Sequence, residues 1–168
     1  MCYNNYGGDN FMFTKGDEVV YAHSGVCKVN DVVERYGKEY YELDPYYEDG
    51  IIFVPTDTKL FIRKVITKQE ALDLIDSIPE IDEDMCNESK TNDLKKFYSS
   101  LVDEHTLEGL VKTIKSVKQK KQVRNGLGQM DRKYLKRAEK TLFGELACAL
   151  EIPYDDVKTF IKKRTSQK

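Results

Sequence analysis

The sequence predicts an α+β fold in which a small five-stranded β-barrel is followed by an all-helical domain. Three observations predict it. Runs rich in Val, Ile, Tyr and Phe, broken by turn residues, fill positions 13–66. From position 90 onward, apolar residues recur at helical spacing. The charge also changes sign along the chain: residues 1–92 carry 9 basic and 19 acidic residues, net −10, and residues 93–168 carry 18 and 10, net +8. These shifts divide the chain into a flexible extension (1–10), a barrel (11–66), a short helix with a linker (67–89) and a helical domain (90–168).

The strands read in order as DEVVYA, GVCKVNDVVERY, KEYYELD, GIIFVP and KLFIRKV, separated by Ser24-Gly25, Tyr36-Gly37, Glu48-Asp49-Gly50 and Pro55-Thr56-Asp57. Five short strands are too few for a sandwich and suit an SH3-like or Tudor-like barrel. The expected core is Val19, Val26, Val29, Val32, Tyr40, Leu43, Ile52, Val54, Leu60 and Ile62. Thr67 then reads as an N-cap, and Glu70 three residues on completes a capping box before Ala71, Leu72, Leu74 and Ile75. The stretch SIPEIDEDMCNES, residues 77–89, has a proline, clustered acids and no period, so the linker falls there.

Four helical stretches follow. Leu94, Phe97, Tyr98 and Leu101 define the first; Leu107, Leu110, Val111, Ile114 and Val117 define the second. Asn125-Gly126-Leu127-Gly128 breaks the second from the third, whose apolar face is Leu135, Ala138, Leu142, Leu146 and Ala149 with Asp131 as the expected N-cap. The fourth begins near Pro153 and buries Val157, Phe160 and Ile161.

Enzymatic signatures are missing. The sequence has no G-x-S-x-G, no G-x-x-x-x-G-K-[ST] and no G-x-G-x-x-G. His23 and His105 stand in no recognisable metal or proton-transfer spacing, and Asp82-Glu83-Asp84 lacks the ligand spacing of a calcium loop. Cys2, Cys27, Cys86 and Cys148 lie far apart, which suits free thiols in a reducing compartment. We therefore expect no enzyme activity, cofactor, metal or small-molecule substrate. No run reaches the roughly 18 apolar residues of a spanning helix, and the opening MCYNNYGGDNFMF lacks the features of a signal peptide, so the expected location is cytoplasmic.

The basic helices carry the positive expectation. Lys112, Lys115, Lys118, Lys120, Lys121 and Arg124 accompany the second apolar stripe, and Arg132, Lys133, Lys136, Arg137 and Lys140 open the third helix against only Glu139. If the two helices pack as neighbours, these cations merge into a surface suited to a nucleic-acid backbone, with binding that weakens as salt rises.

FTKGDEVVYAHSGVCKV, IIFVPTD and DRKYLKRAEKTLFGELACAL together resemble the CarD family of bacterial transcription regulators over roughly residues 11–163. The most specific piece is the last, with its Ala-x-x-x-Leu-x-Gly-Glu-Leu-Ala core. The resemblance implies a Tudor-like domain that docks on the RNA polymerase β subunit, the same module that transcription-repair coupling factors carry. It also implies a helical domain that touches promoter DNA at the upstream edge of the melted bubble and modulates open-complex stability.

On that resemblance Arg35 takes the place of a polymerase-contacting arginine, and Phe53, within Ile52-Phe53-Val54-Pro55, replaces a second one with an apolar contact. Lys90 and Arg132 correspond to basic residues that face DNA. Many members wedge a tryptophan into the minor groove; this chain has no Trp, and Met85 stands at the corresponding position. The competing expectation is a protein-interaction adaptor that ignores DNA. An RNA-binding barrel fits less well, because the β half is acidic and its tyrosines lack a basic context.

Overall fold

The computed structural model describes residues 13–22, 24–82, 91–103, 105–124 and 126–166. The strands are β1 (Glu18–Tyr21), β2 (Gly25–Arg35), β3 (Lys38–Pro45), β4 (Ile52–Pro55) and β5 (Ile62–Lys64). The helices are α1 (Lys68–Ser77), α2 (Thr91–Val102), α3 (Leu107–Val123), α4 (Gln129–Leu150) and α5 (Val157–Thr165), with single 3-10 turns at Ile78–Glu80 and Tyr154–Asp156. The α+β order is the one the sequence predicts.

The strands form one antiparallel sheet in the order β4-β3-β2-β1-β5. The expected barrel is not closed: β4 and β5 are the two edges, and no ladder joins them among the described residues. At four and three residues, these edges offer few backbone groups for closure, and β4 ends at Pro55, which has no N–H to donate.

Alternation gives the sheet two apolar faces. Phe13, Val19, Cys27, Val29, Tyr41, Leu43 and Val54 build one core, where the Phe13 and Tyr41 rings meet edge to face at 5.4 Å. Val20 and Val26, paired across β1 and β2, point the other way and are buried where α4 packs against β2. Val20 shares a small cavity with Val102, Leu110 and Thr141 of the helices. Three expected core residues differ. A bulge between Val29 and Asp31 resets the β2 register, and beyond it the hairpin leaves the core, so Val32 is 36% exposed and Tyr40 only half-buried. Leu60 precedes β5 in a loop and is 58% exposed.

The helical core takes Ala71 and Ile75 from α1, Leu94, Tyr98 and Val102 from α2, Leu110, Val111, Ile114 and Val117 from α3, much of α4, and Val157. The expected capping box of α1 is present: the Glu70 N–H donates to the Thr67 hydroxyl at 3.2 Å, and the Thr67 N–H donates to the Glu70 carboxylate at 2.8 Å. At α4 the cap is Gly128 instead of Asp131. Asp131 sits at the third helical position and accepts from the Gly128 N–H at 3.0 Å, so the helix starts three residues earlier than its first acid suggests. Pro153 leads into the 3-10 turn, and α5 itself begins at Val157.

Candidate functional site

Most of the described residues singled out from the sequence fall on two separate surfaces. The first is the outer face and open edge of the sheet. Val54 points into the sheet core and is 1% exposed, so its neighbours Phe53 and Pro55 face the opposite side. Arg35, on β2, reaches that side: its guanidinium carbon lies 3.5 Å from the centroid of the Phe53 ring, a close cation–π stack. Ile52 is half-buried against the core.

The backbone of β4 is half-free. The Thr56 N–H donates to the Glu39 carbonyl at 3.0 Å, which fixes the phase of the ladder. Val54 and Ile52 therefore turn their backbone groups toward β3, and Phe53 and Pro55 turn theirs outward. The Pro55 carbonyl accepts from the Thr58 N–H at 3.0 Å. That leaves the N–H and C=O of Phe53 facing outward within β4, beside the stacked Arg35.

The second surface is the amino-terminal half of α4 with the carboxy-terminal end of α3. At about 100° per residue, Arg132, Lys136 and Lys140 share one face of α4, with Lys133 and Arg137 on its flank. Arg132, Lys133 and Lys136 are exposed and make no ion pair among the described residues. Arg132, Lys136 and Lys140 line one cavity of about 340 Å³ with Tyr47, Leu135, Glu139 and Tyr154. Lys140 is drawn into a salt bridge with Glu48 of the β3–β4 connection, and Arg137 pairs with Asp103 at 3.0 Å, so these two are partly neutralised.

The ends of α3 and α4 are pinned together. Lys120, almost wholly buried, meets Asp131 at 2.8 Å, and the Tyr98 hydroxyl donates to the same carboxylate at 2.7 Å. Burial opposes ionisation of Asp131, but hydrogen bonds from Lys120, Tyr98 and the Gly128 N–H together outweigh it and hold the carboxyl below its ordinary range. Lys120 is thus a structural cation. Its clasp brings the exposed Lys121 and Arg124 to the same end of the molecule as Arg132 and Lys133. Lys118 points elsewhere, into a cleft of about 400 Å³ rimmed also by Lys115, Lys158 and Lys162. Met85, Lys90 and His23 lie outside the described residues.

Sequence reasoning missed how the two surfaces are joined. Glu145 is fully buried and is gripped by the Arg63 guanidinium, whose Nη2 donates at 2.9 Å, and by the Ile66 N–H at 3.2 Å. One residue earlier, a Cβ on Gly144 would come within 2.8 Å of the Tyr47 ring, so only glycine admits Tyr47 at its present depth. Phe61 stacks on His105 with centroids 4.3 Å apart. Gly144-Glu145 is the centre of the most specific sequence motif, and its role is to join helix to sheet.

No group of three His, Cys, Asp or Glu able to hold a metal occurs among the described residues. The thiols of Cys27 and Cys148 are each pushed up to about 12, chiefly by burial. None of the described helices is long and apolar enough to cross a membrane.

Residues 13–66 match the CarD-like/TRCF RID domain, the RNA polymerase-interacting domain of CarD and TRCF. The match starts at the first core residue of the sheet and stops one residue before the cap of α1. No curated protein matches the chain.

Proposed function

We propose that this protein is a non-enzymatic, cytoplasmic transcription regulator that binds the RNA polymerase β subunit through its sheet and promoter DNA through its basic helices, modulating open-complex stability. The observation that carries the reading is α4 itself. This helix of 22 residues, about 33 Å long, has its second half buried against the domain matched to the polymerase-interacting family and its first half bearing exposed cations.

On this reading the open edge of β4 adds to a strand of the polymerase. The outward N–H and C=O of Phe53 supply main-chain hydrogen bonds, and Arg35 stacked on Phe53 supplies choice of partner. Arg132, Lys133, Lys136, Lys121 and Arg124 then reach phosphates next to the upstream edge of the bubble. Met85 and Lys90 are assigned to the same nucleic-acid surface. Each phosphate contact releases counterions, and tethering through the sheet raises the effective concentration of a weak DNA contact.

The test combines two variants. Arg35→Glu abolishes capture of the β subunit and leaves folding intact. Arg132→Glu with Lys136→Glu weakens DNA binding and makes the slope of log K against log salt shallower by about 2. Equal promoter retention by parent and double variant across a salt series refutes the DNA surface. A second reading, the adaptor, draws support from the cleft beside Lys118. Its apolar floor of Val111, Ile114 and Phe143 under four lysines suits an acidic amphipathic segment of a protein partner. Binding to such a partner that is indifferent to DNA favours it.

A further inference from the structure

The hairpin between β2 and β3 closes on Tyr36 and Gly37, with Arg35 paired to Lys38 across the turn. Both turn residues have positive φ, 53° and 72°, which is the backbone of a type I′ turn. Asn-Gly or Gly-Gly takes this shape readily. A tyrosine in the first position holds its Cβ against the carbonyl oxygen, so the backbone is strained there.

Tyr36 is also 99% exposed, the most exposed large apolar residue described. Nothing in the isolated protein offsets the strain through burial. A rigid aromatic held in an unfavourable backbone conformation and presented to water is costly twice over for the free chain. It suits the free chain's partner instead: tyrosines with few rotors to freeze are common anchors at the centre of protein interfaces. Its position adjoins Arg35, whose stack on Phe53 forms the outward face of the same sheet.

Resting on the polymerase-binding reading of the sheet, we propose that Tyr36 is an anchor residue that enters an apolar pocket on the RNA polymerase β subunit beside the contact made by Arg35. The arrangement extends the docking surface from the β4 edge to the hairpin tip. It also compensates for the apolar Phe53 at a position where the resemblance implies a charge.

The experiment measures, for the full chain, both thermal stability and affinity for an immobilised β-subunit fragment. Tyr36→Asn relieves the strain and removes the anchor, so the melting temperature rises while binding weakens about 30-fold. Tyr36→Phe keeps the ring and binds within about threefold of the parent. The proposal is overturned if Tyr36→Asn binds like the parent while Arg35→Glu does not. It is equally overturned if Tyr36→Asn lowers the melting temperature, because the ring then stabilises the free hairpin. If Arg35→Glu also binds normally, the polymerase-facing reading of the sheet fails first and takes the anchor with it.

Discussion

Along α4, the first turns and the last turns treat charge in opposite ways. Arg132, Lys133 and Lys136 stand in water without an ion-pair partner among the described residues, whereas Glu145 has no exposure and is held by a guanidinium and a backbone N–H. Exposed cations cost the fold little and add little to it. A buried carboxylate costs several kcal/mol to desolvate, and that cost is offset only with its partners in place. The difference teaches which half is structural and which half is available to something outside the chain. The carboxy-terminal half joins helix to sheet, and the amino-terminal half carries the exposed cations.

Breaking the buried side of this comparison has the largest expected effect. Arg63→Ala leaves Glu145 without its main partner and lowers stability by about 3 kcal/mol, read by urea unfolding. Replacing both residues together, Arg63→Met with Glu145→Leu, recovers part of that loss, because two apolar side chains leave no unpaired charge, although the Ile66 N–H loses its acceptor. Reversing exposed charges on the other half, as in Lys133→Glu, stays within about 0.5 kcal/mol. A loss below about 1 kcal/mol in Arg63→Ala would mean that the junction is not held by this pair.

Gly144→Ala sharpens the comparison with a smaller and sign-dependent effect. Alanine raises helix propensity by roughly 1 kcal/mol, but its Cβ would lie 2.8 Å from the Tyr47 ring, and overpacking of this kind costs about 1 to 3 kcal/mol. The expected net loss is about 1 kcal/mol. In a Tyr47→Ala background the obstruction is gone, and the same substitution stabilises by about 1 kcal/mol. A double-mutant cycle on thermal unfolding measures the reversal, and the same sign in both backgrounds would rule out Tyr47 as the reason for the glycine.

What was legible in the sequence followed from local rules. The succession of strands along the chain, the Thr67–Glu70 capping box and the helical stripes each depend on residues close in sequence, so periodicity and turn chemistry find them. The cations were legible as a cluster, but their division was not. Lys120 reads like Lys121, yet its side chain is nearly buried on Asp131 because the step of about 100° between neighbouring helical residues places it inside the α3–α4 contact. The junction was hidden for the same reason: Arg63 and Glu145 are 82 positions apart, and nothing local announces that a sheet arginine and a helix glutamate will meet. The bulge after Val29 was likewise silent, and it displaced Val32 from the expected core.

The smallest effect comes from comparing the capping carboxylates of α1 and α4. Asp131 is clasped by a nearly buried lysine; Glu70 is exposed and accepts from the Thr67 N–H and hydroxyl, both at 2.8 Å. Those bonds, the backbone one foremost, hold the Glu70 carboxyl below its ordinary value of 4.5. A carboxyl whose folded pKa is depressed stabilises the fold above its unfolded pKa and loses that contribution as pH falls through the folded value. Glu70→Gln keeps an acceptor oxygen but no charge, so at pH 7 it costs about 0.3 to 0.5 kcal/mol. The gap between parent and variant should be full at neutral pH, shrink as the pH drops below 4.5 and through the depressed folded value, and close beneath it, read as melting temperatures of the two proteins along a pH series. A gap that stays the same from neutral pH to the acid end of the series would mean that the cap depends on the shape of Glu70, with its charge contributing nothing.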